Sequence, residues 1–250
     1  MNHKRRQLLS GISLASAGVL LGGCRAASNS TGAATNEDQR RDEPAPGEAA
    51  PAEVGATEDL MREHGILRRA LLVYRESAMR LRQDPTSAPL EALEKAANLF
   101  RVFGADYHER SIEEVYIFPV VKKSPGTAGS FVDVLLAQHT RGRAITEYVL
   151  SITKLEKIPA HKVEPLAKTL ESFVRMYEHH EVVEDTVVFP AWKAAVGQAE
   201  LDALAAKFDE IEAEQFGDDG FETALRRIEE IETSLGLSSL EMFTAPLPPR

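Results

Sequence analysis

Apolar positions recur four and three residues apart along several stretches of the chain, the spacing of helices that bury one stripe. In the first stretch Leu60, His64, Leu67, Leu71, Tyr74, Ala78 and Leu81 form an unbroken seam. Thr57, followed by Glu58 and Asp59, is expected to cap its start, and Asp84-Pro85 stops it. Ser87-Ala88-Pro89 reopens the chain into a second helix with Leu93, Ala97, Phe100, Gly104, His108, Ser111 and Val115 inward. A third, over about residues 128–157, has Phe131, Leu135, Gln138, Gly142, Ile145, Val149 and Ile152 in its seam and His139 beside it, and Ile158-Pro159 ends it. The fourth carries Leu166, Leu170, Phe173, Tyr177, His180, Glu184 and Val187. Past Trp192, Leu201, Leu204, Phe208 and Ile211, then Leu225, Ile228, Ile231 and Leu235, predict amphipathic helices with a bend at residues 216–220. The expected fold class is all-α.

Two positions of the fourth seam are ionisable, and this changes the picture. A neutral histidine can sit inside a core, but a carboxylate one turn beyond it costs several kcal/mol of desolvation unless a cation meets it. A metal ion would meet both. The stretch YHERSIEEVYIFPV at residues 107–120 reads almost the same way: laying Phe118-Pro119 on Phe189-Pro190 puts Glu113 on Glu184 and His108 on His179. The unit therefore occurs twice. Each is preceded by a helix with its own histidine, His64 or His139, at a distance that two helices and a short loop require. Two such pairs make an antiparallel four-helix bundle with a ligand cluster at its centre.

The first half of this repeat is less regular. On an ideal helix Glu113 lies about 140° around from His108, whereas the four-residue step from His180 to Glu184 is about 40°. A local widening of the helix, or the reach of the glutamate, is needed to bring the pair together. Glu109, adjacent to His108, is the competing ligand, and His179, one residue off the seam, is a candidate rim or outer group.

Composition bounds the rest. Lys4-Arg5-Arg6 precede a charge-free apolar run that is too short and too rich in small residues to span a bilayer, so residues 1–24 are expected to be an export signal. RRQLL and Leu21-Gly22-Gly23-Cys24 resemble a twin-arginine signal with a lipobox. The resemblance implies acylation of Cys24 and a periplasmic lipoprotein anchored to the membrane. Residues 25–56, nearly free of large apolar side chains, are expected to be a disordered linker, leaving a domain at 57–196 and a helical extension at 197–250. Cys24 is the only cysteine, so thiolate ligation within the domain is excluded. The net charge of −10 becomes −13 once the three cations of the signal are removed, which argues against nucleic acid and against a polybasic membrane patch.

Outside the signal there are six histidines, and four of them, His64, His108, His139 and His180, fall on four successive predicted helices. Imidazole and carboxylate without sulfur suit iron or manganese, and zinc is also accepted. Four histidines with Glu113 and Glu184 exceed one tetrahedral site and fit two metals bridged by carboxylates.

Glu63-His64, the unit from His108 to Pro119, Gln138-His139, and the unit from His180 to Pro190 with its Glu184-Asp185 together resemble the hemerythrin-like HHE cation-binding family, over about residues 57–192. The resemblance implies an antiparallel four-helix bundle with an oxo- or hydroxo-bridged non-haem di-iron centre that binds oxygen or related small diatomics. It makes His64, His108, His139 and His180 terminal ligands, and Glu113 and Glu184 the bridging carboxylates. Where the oxygen-carrying branch has a second histidine four residues on, this chain has Arg143, so one iron is expected to lack a protein ligand, its place taken by water or Glu109. Three readings follow: a di-iron protein of the cell envelope binding or sensing oxygen, nitric oxide or iron; a peroxidase or oxidant-reducing enzyme on the same centre, with Tyr107 and Tyr177 nearby; and a metal-free structural bundle. No flavin or haem motif is present, so the chain does not name an electron donor.

Overall fold

The computed structural model describes residues 54–217 and 219–249, and every regular element among them is helical. The expected signal at 1–24, Cys24 and nearly all of the expected linker lie outside the described residues. Helix α1 (Ala56–Gln83) buries the whole expected seam from Leu60 to Leu81. Its N-cap is Gly55 and not Thr57, which is buried inside the first turn with its hydroxyl on Glu58. Asp84 closes the helix and caps the short turn that follows by accepting from the Thr86 amide.

Helix α2 (Leu90–Leu99) runs without a break into a long π-helical stretch, Phe100–Ile117, and then into α3 (Phe118–Val121). After a turn at Gly126 the chain forms α4 (Val132–Thr153) and α5 (Ala160–Val183). A second π stretch, Glu184–Val188, continues α5 into α6 (Phe189–Val196). Both π stretches end at a Phe-Pro pair, and the reason is local. Pro119 and Pro190 have no N–H, and their rings press on the carbonyl four residues back, so the α-helical ladder cannot pass through them. The chain opens by one residue instead. The Phe118 amide donates to the Glu113 carbonyl and the Phe189 amide to the Glu184 carbonyl, each five residues back.

That widening rotates the downstream register. In the first stretch Ile112 and Glu113 point inward, while Val115, expected inside, is 55% exposed. In the second, Val188 is buried where Val187 was expected. In helix α4 the expected Leu135, Gly142, Val149 and Ile152 are buried, whereas Phe131 is exposed and Gln138 and Ile145 are half-buried, their neighbours Val132, His139 and Thr146 taking the buried places. His139 therefore lies in the seam and not beside it.

Helix α1 packs along α5 and beside α2, and α4 lies against α2, the first π stretch and α5. Gly197, at φ 78°, ends α6 and lets α7 (Gln198–Phe216) fold back; α8 (Gly220–Leu235) follows, its Asp219 cap accepting from the Glu222 amide. These two helices close over α1, α2 and α6 through buried Leu201, Phe208, Ile228 and Ile231 and the ion pair between Arg69 and Glu232. Residues 54–250 form one compact unit. Among the described residues no helix is long and apolar enough to cross a membrane.

Candidate metal centre

The four helical rods deliver one group of side chains to one level of the interior. His64 comes from α1, His108 and Glu113 from the first π stretch, His139 from α4, His180 from α5 and Glu184 from the second π stretch. All six are buried, and none is more than 3% exposed. The widened helix settles the five-residue step, because in a π turn residues five apart lie on one face.

The donors sort into two halves. His64 Nε2 is 2.9 Å from His108 Nε2, and His139 Nε2 is 3.1 Å from His180 Nε2. Glu113 lies between the pairs, with Oε1 3.3 Å from His108 Nε2 and Oε2 3.4 Å from His139 Nε2. Glu184 does the same from the opposite side, with Oε2 3.5 Å from His64 Nε2 and Oε1 3.1 Å from His180 Nε2. Each carboxylate thus offers one oxygen to each half.

The other imidazole nitrogens are fixed from outside. His64 Nδ1 donates to Asp185 at 2.7 Å, His108 Nδ1 to Glu63 at 2.7 Å, His139 Nδ1 to Glu114 at 3.0 Å, and His180 Nδ1 to Gln138 Oε1 at 2.8 Å. With Nδ1 donating, each ring turns Nε2 toward the centre, the arrangement of metal-ligating histidines held by outer partners. Beyond these, Arg68 pairs with Asp185 and, at 2.8 Å, with Glu181. Arg143 pairs with Glu114 at 2.9 Å and Glu109 at 3.2 Å.

These contacts obey the repeat of the sequence and correct its register. Glu63-His64 with Arg68 matches Gln138-His139 with Arg143. His108-Glu109 with Glu113-Glu114 matches His180-Glu181 with Glu184-Asp185. His108 is therefore the counterpart of His180 and not of His179, and the one extra residue before Glu113 is absorbed by the longer π stretch. His179 is exposed and stands outside the group, because one step along α5 turns it about 100° away. Glu109 is not at the centre either. It accepts from the Tyr177 hydroxyl at 2.6 Å and from Arg143, and it groups with Glu114 and His139 on the Nδ1 side of that ring, away from the inward Nε2 atoms.

Glu63, Gln138, Glu114 and Asp185 were not singled out as site residues from the sequence. The signal was present, since each sits immediately beside a candidate ligand.

Electrostatics show how the group is neutralised when protons do the work. Burial pulls the His139 imidazole down, but Glu109 and Glu113 outweigh it and raise it to about 10. His108 is likewise disfavoured by burial, yet the charges of Glu113 and Glu63 hold it well above the usual histidine value. His180, buried and beside His139, drops to about 3. Glu113, despite burial, is lowered by His108 and His139, whereas burial and the charge of Glu113 push Glu184 well up. Charge and burial thus favour the ionised form of one shared carboxylate, beside His108 and His139, and the protonated form of the other.

No protein-family model matches the chain, and no solved structure matches it. It is similar to uncharacterized proteins of Mycobacterium tuberculosis and Mycobacterium bovis, each 39% identical over 243 residues that cover 96% of this chain and 90% of the relative. The chain belongs to their family.

In this chain the buried group fits a metal by two tests. All four oxygens of Glu113 and Glu184 are buried without a hydrogen-bond partner, a costly state that a cation relieves. Two donors roughly 2.0–2.1 Å from one ion lie about 2.9 Å apart at a right angle and about 3.4 Å apart at a tetrahedral angle. The spacings within the halves run from 2.9 to 3.9 Å, most of them in or near that interval and the longest, His139 Nε2 to Glu184 Oε1, beyond it. The helical fold of this family member therefore contains a buried His and Glu group able to hold a metal ion.

Proposed function

We propose that the chain is a hemerythrin-like four-helix protein of the cell envelope that holds a non-haem di-iron centre and binds or senses oxygen, nitric oxide or iron. The observation that carries the reading is the pair of shared carboxylates, each with one oxygen toward either histidine pair and none of the four oxygens otherwise partnered. His64 and His108 would hold one iron and His139 and His180 the other, with Glu113 and Glu184 shared. Iron there would supply a redox-active Lewis acid for a small diatomic or peroxide ligand. The chain's own part is to orient the four imidazoles through their Nδ1 partners and to exclude water. Phe189 stacks on His64 and Phe118 on His139, which sets an apolar ring against one imidazole of each pair. The donor set, all nitrogen and oxygen, favours iron or manganese and accepts zinc.

Protein purified aerobically from iron-fed cells is expected to absorb in the near ultraviolet and visible, and the bands should shift on adding nitric oxide or peroxide. Colourless, metal-free protein would reject the reading. An enzymatic role on the same centre has one supporting observation: the Tyr177 ring lies 5.3 Å from that of His180, and its hydroxyl is held by buried Glu109. Sustained turnover of peroxide with an electron donor would favour that role, and stoichiometric binding would exclude it. For location, we propose anchoring through acylated Cys24; a Cys24→Ser protein should leave the membrane fraction, and continued sedimentation would count against the anchor.

A further inference from the structure

The repeat gives each half of the centre a counterpart for each histidine, its Nδ1 partner and its arginine, so differences between these counterparts are differences between the two metal positions. Most counterparts agree in charge. Arg68 on Asp185 and Glu181 matches Arg143 on Glu114 and Glu109, and the Nδ1 partners of His64 and His139 are both carboxylates. One pair does not agree. The Nδ1 partner of His108 is the carboxylate of Glu63, 2% exposed and also accepting from the Tyr107 hydroxyl, whereas that of His180 is the amide of Gln138, half-buried.

Both partners accept the same proton and fix the same ring orientation, and the difference in charge between them is one negative charge. A carboxylate behind an imidazole increases electron donation from the inward nitrogen and adds Coulomb attraction for a cation beyond it. An amide dipole does far less. Loss of such an outer partner lowers metal affinity about 10- to 100-fold.

We propose that the two positions fill in order, the His64 and His108 position first and the His139 and His180 position second, with Glu63 and Gln138 as the positioning residues that set the order. This rests on the two-metal reading above. A protein so built carries one tightly held ion and one exchangeable ion, and the exchangeable position lies beside Arg143, which lines a surface cavity of about 200 Å³ with Asp106 and Thr146.

The test is anomalous scattering at the zinc edge from crystals of the full domain loaded with one molar equivalent of zinc. For independent sites differing about 10- to 100-fold, roughly three quarters to nine tenths of the zinc should sit at the His64 and His108 position. Glu63→Gln with Gln138→Glu together should reverse the preference, and Gln138→Glu alone, a change at a half-buried side chain, should equalise the two. Equal occupancy in the natural protein, or a preference unmoved by the double exchange, would overturn the order and leave the two-metal reading standing. No zinc among these histidines in any of the proteins would overturn the two-metal reading itself.

Discussion

Glu184→Gln and Glu113→Gln remove the same group from opposite sides of the centre, yet they should behave differently without metal. Glu184 is held protonated by burial and by the charge of Glu113, so an amide there replaces one neutral group by another of the same shape. Its metal-free stability should change by less than about 1 kcal/mol. Glu113 is favoured in its ionised form by His108 and His139, and it in turn helps to hold their protons, together with Glu63 at His108 and behind Glu109 at His139. Removing its charge leaves His108 with Glu63 and His139 with Glu109 and Glu114 as their remaining carboxylates, so the loss should be that of charge-assisted hydrogen bonds, about 1.5 to 3 kcal/mol. With metal the difference should vanish. The natural protein gains about 4 kcal/mol per site when free ion is at a thousand times the dissociation constant, and both variants should gain little of this, having lost a shared carboxylate. Urea denaturation followed by circular dichroism, with chelator and then with zinc, reads all four values. Equal losses for the two variants in chelator would refute the proton assignment. A full zinc-dependent gain in Glu184→Gln would refute the shared role of that carboxylate.

Other expectations follow from the same geometry. Zinc loading near pH 7 must displace at least the protons on His108, His139 and Glu184, all held above their ordinary values, so affinity should rise with pH; calorimetry in buffers of different ionisation enthalpy should detect the release, and pH-independent binding would contradict it. In metal-free protein the stability due to charged His139 should be complete below about pH 6.5 and lost as pH rises through about 10, and a flat urea midpoint across that window would contradict it. A β-carbon on Gly142 would stand 2.0 Å from the Tyr177 hydroxyl oxygen, so Gly142→Ala should displace the ring from Glu109 and cost about 2 kcal/mol net of its gain in helix propensity; unchanged denaturation would contradict the packing. His179→Ala, at an exposed position, should leave metal content and stability unaltered, and loss of metal would mean that the wrong face of α5 has been assigned.

The helices that carry the site were legible because their apolar stripes are regular, and every residue of the α1 seam is inside. The register of α4 was legible in part: Leu135, Gly142, Val149 and Ile152 are inside as expected, but polar His139 and Thr146 take buried places while Phe131 stands exposed, so hydrophobicity alone misplaces the rest of the stripe. The five-residue step from His108 to Glu113 looked unfavourable because ideal α geometry was the reference; the Phe-Pro pair that forces the wider turn was visible in both halves. That same pair misled the alignment toward His179, since the two halves differ by one residue upstream of it. In the C-terminal helices small and polar residues, Ala205, Glu212 and Ala224, take buried places beside half-buried Leu204, Ile211 and Leu225, so the element was legible and its contact face only in part.

The most direct measurement is the metal content of the protein loaded anaerobically with ferrous iron and then freed of excess, set beside a Glu113→Gln, Glu184→Gln double variant. Two ions per chain in the natural protein and none retained in the double variant are expected. A natural protein that retains no iron, or a double variant that retains as much, would contradict a centre built on two shared carboxylates.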